Sequence, residues 1–255
     1  MALISEIYDF LCKLAPLELQ MGFDNSGFQI GRRDINAERV ILALDVTDDV
    51  VQEAEENEAK LIITHHPLIF SGIKSIDGNT PEGDRLLRLA KNGIAVISMH
   101  TNLDISDGGV NDVLIELLGA KAEGVLDREN CGRIGHMAKT IELKSFLVMC
   151  KDKLRTNGLR YYDAGKPVYK LAVMGGAGGD SIEDAFKHGC DTYLTADIKY
   201  HQFLRAKELG INLIDADHFC TENPVIAVLK EKLQKEFTNT DFIISEKHNQ
   251  IISFA

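Results

Sequence analysis

The sequence predicts an α/β protein built as two similar α/β halves with mainly parallel sheets, and three observations carry that prediction. Apolar runs of strand length recur at 39–46 (RVILALDV), 60–64 (KLIIT) and 94–99 (IAVISM). Segments with helical apolar spacing and recognisable start and stop residues separate them, and the same alternation returns after residue 168. Strand, helix, strand in that order implies parallel neighbours joined by crossover helices.

Taken in order, Leu3, Ile4, Ile7, Phe10, Leu11 and Leu14 mark one face of an opening helix that Pro16 stops. A turn-rich stretch, Asp24-Asn25-Ser26-Gly27, precedes the first strand. Thr47 is placed to cap a helix reaching about Ala59. Thr80-Pro81 supplies the cap and first residue of a second helix that runs to Asn92 and ends at Gly93. A helix near 110–118 closes the first set. The second set reads as strand 168–174, helix 181–188, strand 191–195, helix 198–209 and strand 211–215. A helix over roughly 221–237 and a strand at 241–245 end the chain. Residues 1–125 with 217–255 are expected to form a metal-binding α/β domain, and residues 126–216 a second α/β domain.

Composition narrows the functional classes. A net charge of −11 argues against a protein whose main task is gripping a nucleic acid backbone, which needs clustered Lys and Arg. No apolar run is long enough to span a bilayer. The five cysteines are scattered without a CxxC pair, which fits a reducing compartment and a cytoplasmic location. The acidic, amphipathic N-terminus does not read as a signal peptide.

Open α/β sheets bind ligands beyond the carboxyl ends of their strands, where loops converge. His65 and His66 directly follow one strand, His100 follows another with Asp104 four residues on, and His218 follows a third with Glu222 four residues on. Adjacent strand residues point to opposite faces, so His65 and His66 share a site only if the backbone leaves β geometry there, and Pro67 favours that departure. His218 and Glu222 share a face if a helix begins at His218. Three imidazoles and two carboxylates exceed one tetrahedral zinc with an open position, so two divalent ions per chain are expected on His65, His66, Asp104, His218 and Glu222. Mixed nitrogen and oxygen donors suit Zn, Mn or Fe. Any one of these histidines alone reads more simply as an ordinary polar residue; their joint placement is what points to metal. Gly175, Gly176, Gly178 and Gly179, between a strand and a helix, read either as a phosphate-binding turn or as a tight turn that permits close packing.

At this point the motifs resemble those of the Nif-three-like dinuclear-metal proteins, also called GTP cyclohydrolase 1 type 2 homologues. The family's WDNxGLxxG corresponds to residues 23–31, its LDxT to Leu44-Asp45-Val46-Thr47, its HHP to His65-His66-Pro67, and its HTNLD to residues 100–104. GRIG at 132–135, the glycines at 175–179 and DADHFCTE at 215–222 match later signatures. Phe23 stands in place of a tryptophan, Asp217 in place of a glycine, and Thr195-Ala196-Asp197 in place of TGE.

The resemblance implies a two-domain subunit, a ring-like homohexamer, and two metals per subunit on the five residues named above. The function expected is hydrolysis of a small nucleotide-like molecule, with His100 as proton carrier or as a support for Asp104. GTP is the substrate that the resemblance suggests. An amidohydrolase or phosphoesterase fits the residues equally, and a metal-containing scaffold without turnover is the alternative of a different class.

Overall fold

The computed structural model describes residues 1–254. β1 (Ala2–Leu3) leads into α1 (Ile4–Leu14), which buries Ile4, Ile7, Tyr8 and Leu11 along one face. β2 (Gly27–Ile30), β3 (Asn36–Ala37) and β4 (Arg39–Ala43) follow. Thr47 caps α2 (Asp48–Glu56), its hydroxyl accepting from the Val50 amide. After β5 (Leu61–Thr64), Thr80 caps α3 (Pro81–Asn92), and Gly93 ends it at φ 64°. The chain continues through β6 (Ala95–Ser98), α4 (Thr101–Ile105), α5 (Val110–Leu117), β7 (Ala120–Val125), β8 (Arg133–Ile141), α6 (Leu143–Leu154), β9 (Arg160–Tyr162) and β10 (Val168–Val173). It ends with α7 (Ile182–Lys187), β11 (Thr192–Thr195), α8 (Tyr200–Leu209), β12 (Asn212–Asp215), α9 (His218–Glu222), α10 (Pro224–Glu236) and β13 (Asp241–Ile244).

The chain forms two compact units. Met1–Ser106 with Ile226–Asn249 make the first. Its sheet has the order β13-β4-β5-β6-β2, parallel except for β2, which runs antiparallel at the edge. Ile41 lies beside Ile62 and Ile62 beside Val96, and this row packs with Val50, Val51 and Leu89 of the helices. All four residues of β5 and of β6 are buried, as expected for parallel strands covered on both faces.

Residues 107–225 and the tail from Gln250 make the second unit. Its sheet runs β7-β8-β10-β11-β12-β9, in which β10, β11 and β12 are parallel and the outer pairings antiparallel. Leu114, Phe146, Cys150, Leu171, Leu194, Ile214 and Cys220 lie in its core. Each unit therefore repeats one theme, consecutive parallel strands with crossover helices and at least one antiparallel edge, and the expected fold class holds.

The unit boundaries differ from those expected at 125 and 217. Residues 107–125 join the second unit because β7 is hydrogen-bonded to β8, and α9 joins it because it packs on α5 and Cys220 belongs to the second core. His218 and Glu222 therefore belong to the second unit, while His65, His66, His100 and Asp104 belong to the first.

Candidate metal centre

In the first unit, three strand ends and one buried acid make the site. β5 stops at Thr64, after which the His66 amide bonds to the Leu44 carbonyl at 2.9 Å, and the Thr64 hydroxyl donates to the His66 carbonyl at 2.8 Å. The His66 bond carries the parallel pattern one step past β5 while the backbone bends at His65 and His66, and the two neighbouring rings lie together, with centroids 5.0 Å apart. His100, beyond β6, packs against both at 5.2 and 5.5 Å. One ring nitrogen from each of the three lies within 4.8 Å of the others, a group that could hold a metal ion.

What fixes each ring is a second residue behind it. His65 Nδ1 lies 2.8 Å from the Met99 carbonyl, His66 Nδ1 lies 2.7 Å from Asp45, and His100 Nδ1 lies 2.7 Å from Asp24. A carbonyl or carboxylate only accepts, so each Nδ1 carries the proton and Nε2 is left as the Lewis-basic nitrogen. Metal-ligating imidazoles are oriented in this way. Burial alone would raise the Asp24 carboxyl, but hydrogen bonds from His100, Thr101 and Ser26 outweigh it and hold the carboxyl well below the usual range. Asp104, on α4, brings Oδ1 to 3.6 Å from Nε2 of the fully buried His65. Two donors on one ion at about 2.0–2.1 Å sit roughly 3–3.4 Å apart, so this spacing is close to an edge of a coordination polyhedron.

In the second unit, Asp217 caps α9 through the Cys220 amide and takes φ 74°, which starts the helix at His218 as the i, i+4 reading requires. His218 Nε2 then faces Glu222 Oε2 at 3.2 Å, and its Nδ1 lies 2.8 Å from Asp197. Glu222 is only 4% exposed, and a buried carboxylate is expensive unless a cation or a hydrogen-bond donor offsets its charge. Cys220, between the two, points into the core as its spacing implies.

The glycine-rich turn lies against this pair. A Cβ on Gly175 would crowd Val110 and Glu222, and one on Gly176 would overlap Glu222 and approach His218 Nε2 to 3.2 Å. Gly178 and Gly179 back onto Thr195, Tyr193 and Gln202. The amides of Gly175, Gly176 and Gly178 donate to Asn111, Thr221 and Thr195, so three of the turn's N–H groups have acceptors inside the protein. Close packing accounts for the glycines.

Asp24, Asp45 and Asp197 were not candidates on spacing alone, because an acid that orients a histidine lies far from it in sequence. The available signal was their presence inside the DN, LDxT and TAD motifs. His100 was expected either to carry a proton or to support Asp104; its imidazole is held by Asp24 and touches the rings of His65, His66 and Phe70.

Fold and side chains together define an α/β protein of two similar units whose buried His, Asp and Glu groups could hold a metal ion. A profile of the Duf34/NIF3 (NGG1p interacting factor 3) family matches residues 2–250, and the chain belongs to that family. A Clostridium perfringens protein named GTP cyclohydrolase 1 type 2 homolog is 35% identical, covering 98% of this chain and 99% of its own. A Campylobacter jejuni protein of the same name is 38% identical over 86% of this chain and 87% of its own. The crystal structure of a Bacillus cereus protein related to NIF3 superposes with a TM-score of 0.93 at 25% identity, covering 100% of this chain and 99% of that one. Among the described residues no helix is long and apolar enough to cross a membrane.

Proposed function

We propose that this chain is a metal-dependent hydrolase of a small nucleotide-like molecule. In this reading His65, His66 and Asp104 of the first unit and His218 and Glu222 of the second hold two divalent ions, with Zn, Mn and Fe suited to the donor set. The observation that carries the reading is the arrangement behind the imidazoles: each candidate ligand histidine meets a carbonyl or carboxylate through Nδ1. Burial of Asp104 and Glu222 supports it, since a bound cation is one of the ways a carboxylate's charge is offset inside a protein.

Paired ions, when bound, supply a water of near-neutral pKa and a positive clamp for the oxygens of the attacked group. The chain's own residues do the rest. His100, its Nδ1 proton held by Asp24, takes a proton at Nε2 from the attacking water and returns it to the leaving group. Gly175, Gly176, Gly178 and Gly179 meet the substrate's triphosphate in this reading, and the close approach of Gly175 and Gly176 to Glu222 supports their nearness to the site. The name shared by the relatives supports GTP as substrate, with attack on the guanine ring. The resemblance supports a ring-like homohexamer, and the free cysteines support a cytoplasmic setting.

The test is elemental analysis followed by turnover. Protein reconstituted with Zn, Mn or Fe is incubated with GTP and a phosphoester panel beside a Glu222→Ala control. Two ions per chain with turnover lost in the variant are expected. Bound metal with no turnover above the control defeats the hydrolase reading in favour of a scaffold.

A further inference from the structure

Phe23 and Phe70 are 63% and 51% exposed, yet they lie together, with ring centroids 6.3 Å apart and planes inclined at 53°. Exposed apolar side chains scattered singly need no explanation, whereas a touching pair marks a surface with a task. Phe70 also meets His100 edge-on, with centroids 6.1 Å apart at 79°. The pair thus adjoins the imidazole cluster of the first unit.

Neither ring is held by a core, and both are held by polar bonds around them. Asn25 Nδ2 donates to the Ile69 carbonyl at 2.6 Å, and the Ile69 amide donates to Gln29 Oε1 at 3.2 Å. These bonds pin the segment before Phe70 to the segment after Phe23. Asp24, between Phe23 and Asn25, holds His100 at 2.7 Å. Three consecutive residues therefore do three linked things: present one ring, orient the histidine, and fix the loop that carries the second ring. Such preorganisation suits binding, because little ordering remains to be done when a ligand arrives.

We propose that Phe23 and Phe70 form a stacking platform for a planar heteroaromatic ring, a purine base, which they lay beside His100 and the neighbouring imidazoles. With the two planes inclined at 53°, a flat ligand stacks on one ring while the other closes on its edge, and nitrogen and oxygen at its rim face the neighbouring polar groups, an arrangement that fits an aliphatic ligand poorly. The proposal rests on the nucleotide-like substrate of the preceding section and adds which residues read the base.

The chain contains no tryptophan, so Phe23→Trp installs a single fluorescent reporter while keeping an aromatic face at that position. The metal-loaded F23W protein is titrated with GTP, guanosine and inorganic tripolyphosphate. GTP and guanosine quench its emission saturably, and tripolyphosphate does not. Adding Phe70→Ala weakens guanosine binding about 5- to 150-fold, the range for losing one stacked aromatic. Calorimetric affinity for tripolyphosphate stays as before. Quenching by adenosine equal to that by guanosine supports the platform, since stacking reads a π-face.

Guanosine quenching without any turnover upholds the platform and defeats the hydrolase reading alone. GTP turnover whose KM is unmoved by F70A, or emission indifferent to every nucleoside, overturns the platform while leaving the hydrolase reading intact. Emission that shifts when ligand-free protein is diluted means that the rings pack against a second copy, which also overturns it.

Discussion

Replacing Gly176 by alanine perturbs the candidate ligands from behind, and a second glycine isolates the cause. Gly176 sits at φ +65°, where an added Cβ would overlap Glu222 Oε1 and lie 3.2 Å from His218 Nε2. The peptide cannot rotate away cheaply. Its amide donates to Thr221 at 3.0 Å, and its carbonyl accepts from the Ala196 amide at 2.9 Å and the Thr195 hydroxyl at 3.0 Å. A left-handed non-glycine residue costs about 1–2 kcal/mol. At roughly 2–4 °C per kcal/mol for a chain of this size, Tm should fall by about 2–8 °C.

The steric part falls on the end of a flexible side chain, so Glu222 swings aside at little further cost to stability. It then no longer faces His218. Metal affinity should drop by more than the roughly 10–100-fold typical of losing an outer partner. Gly189 has φ +71° and nothing within 4 Å of its Cβ position, so Gly189→Ala carries the backbone strain alone. Thermal melts and competitive metal titrations on both variants should give similar losses of Tm and a loss of affinity in G176A only. Wild-type affinity in G176A, or an equal loss in G189A, would refute the reasoning.

Asp197→Asn should weaken metal binding about 10–100-fold by loosening His218, with little change in Tm because asparagine tolerates the φ of 54° at that position; unchanged affinity in a metal titration counts against this. Asp24→Asn should cost about 1.5–3 kcal/mol near neutral pH through its charge-assisted bonds. Because the folded carboxyl is held low, that difference is complete above the ordinary value of about 3.9 and shrinks as pH falls below it toward the folded value. Urea denaturation across that range checks this, and a difference that widens on acidification contradicts it. Burial pushes the Cys190 and Cys220 thiols up to about 11 and raises Cys150 further, so alkylation at neutral pH should spare all three until urea is added. Mass spectrometry showing rapid labelling of Cys150 in native protein would contradict the burial.

The sequence displays the elements that bury apolar periodicity. Strands β4, β5, β6, β10, β11, β12 and β13 all fall within the predicted runs, because the residues they bury keep each stretch mostly apolar. β7 and β9 do not announce themselves: AKAEGV is interrupted by Gly124, and RYY is three exposed or half-exposed residues. β8 is buried over its first half and exposed from Ala138 to Thr140, and α6 sets Lys151 beside the buried Cys150, so neither period dominates. The pairing of β7 with β8, together with Leu114, Ile115 and Leu118 packing into the second core, places 107–125 in the second unit, and neither strand shows in the apolar pattern. The candidate ligands were legible because they sit at strand exits. Asp24, Asp45 and Asp197 were not, because contacts with histidines 76, 21 and 21 positions away are made by folding alone.

Strand β13 gives the fold a timetable. It completes the first sheet against β4, and Ser245 reaches Glu53 across 192 positions of chain. Everything from 107 to 225 emerges from the ribosome in between, at about 5–20 residues per second. For roughly 10–40 s the nascent polypeptide therefore carries β4 as a bare edge, open to pairing with other chains. The unit translated second has its whole sheet before the unit translated first, and the earliest sheet to begin is the last to close.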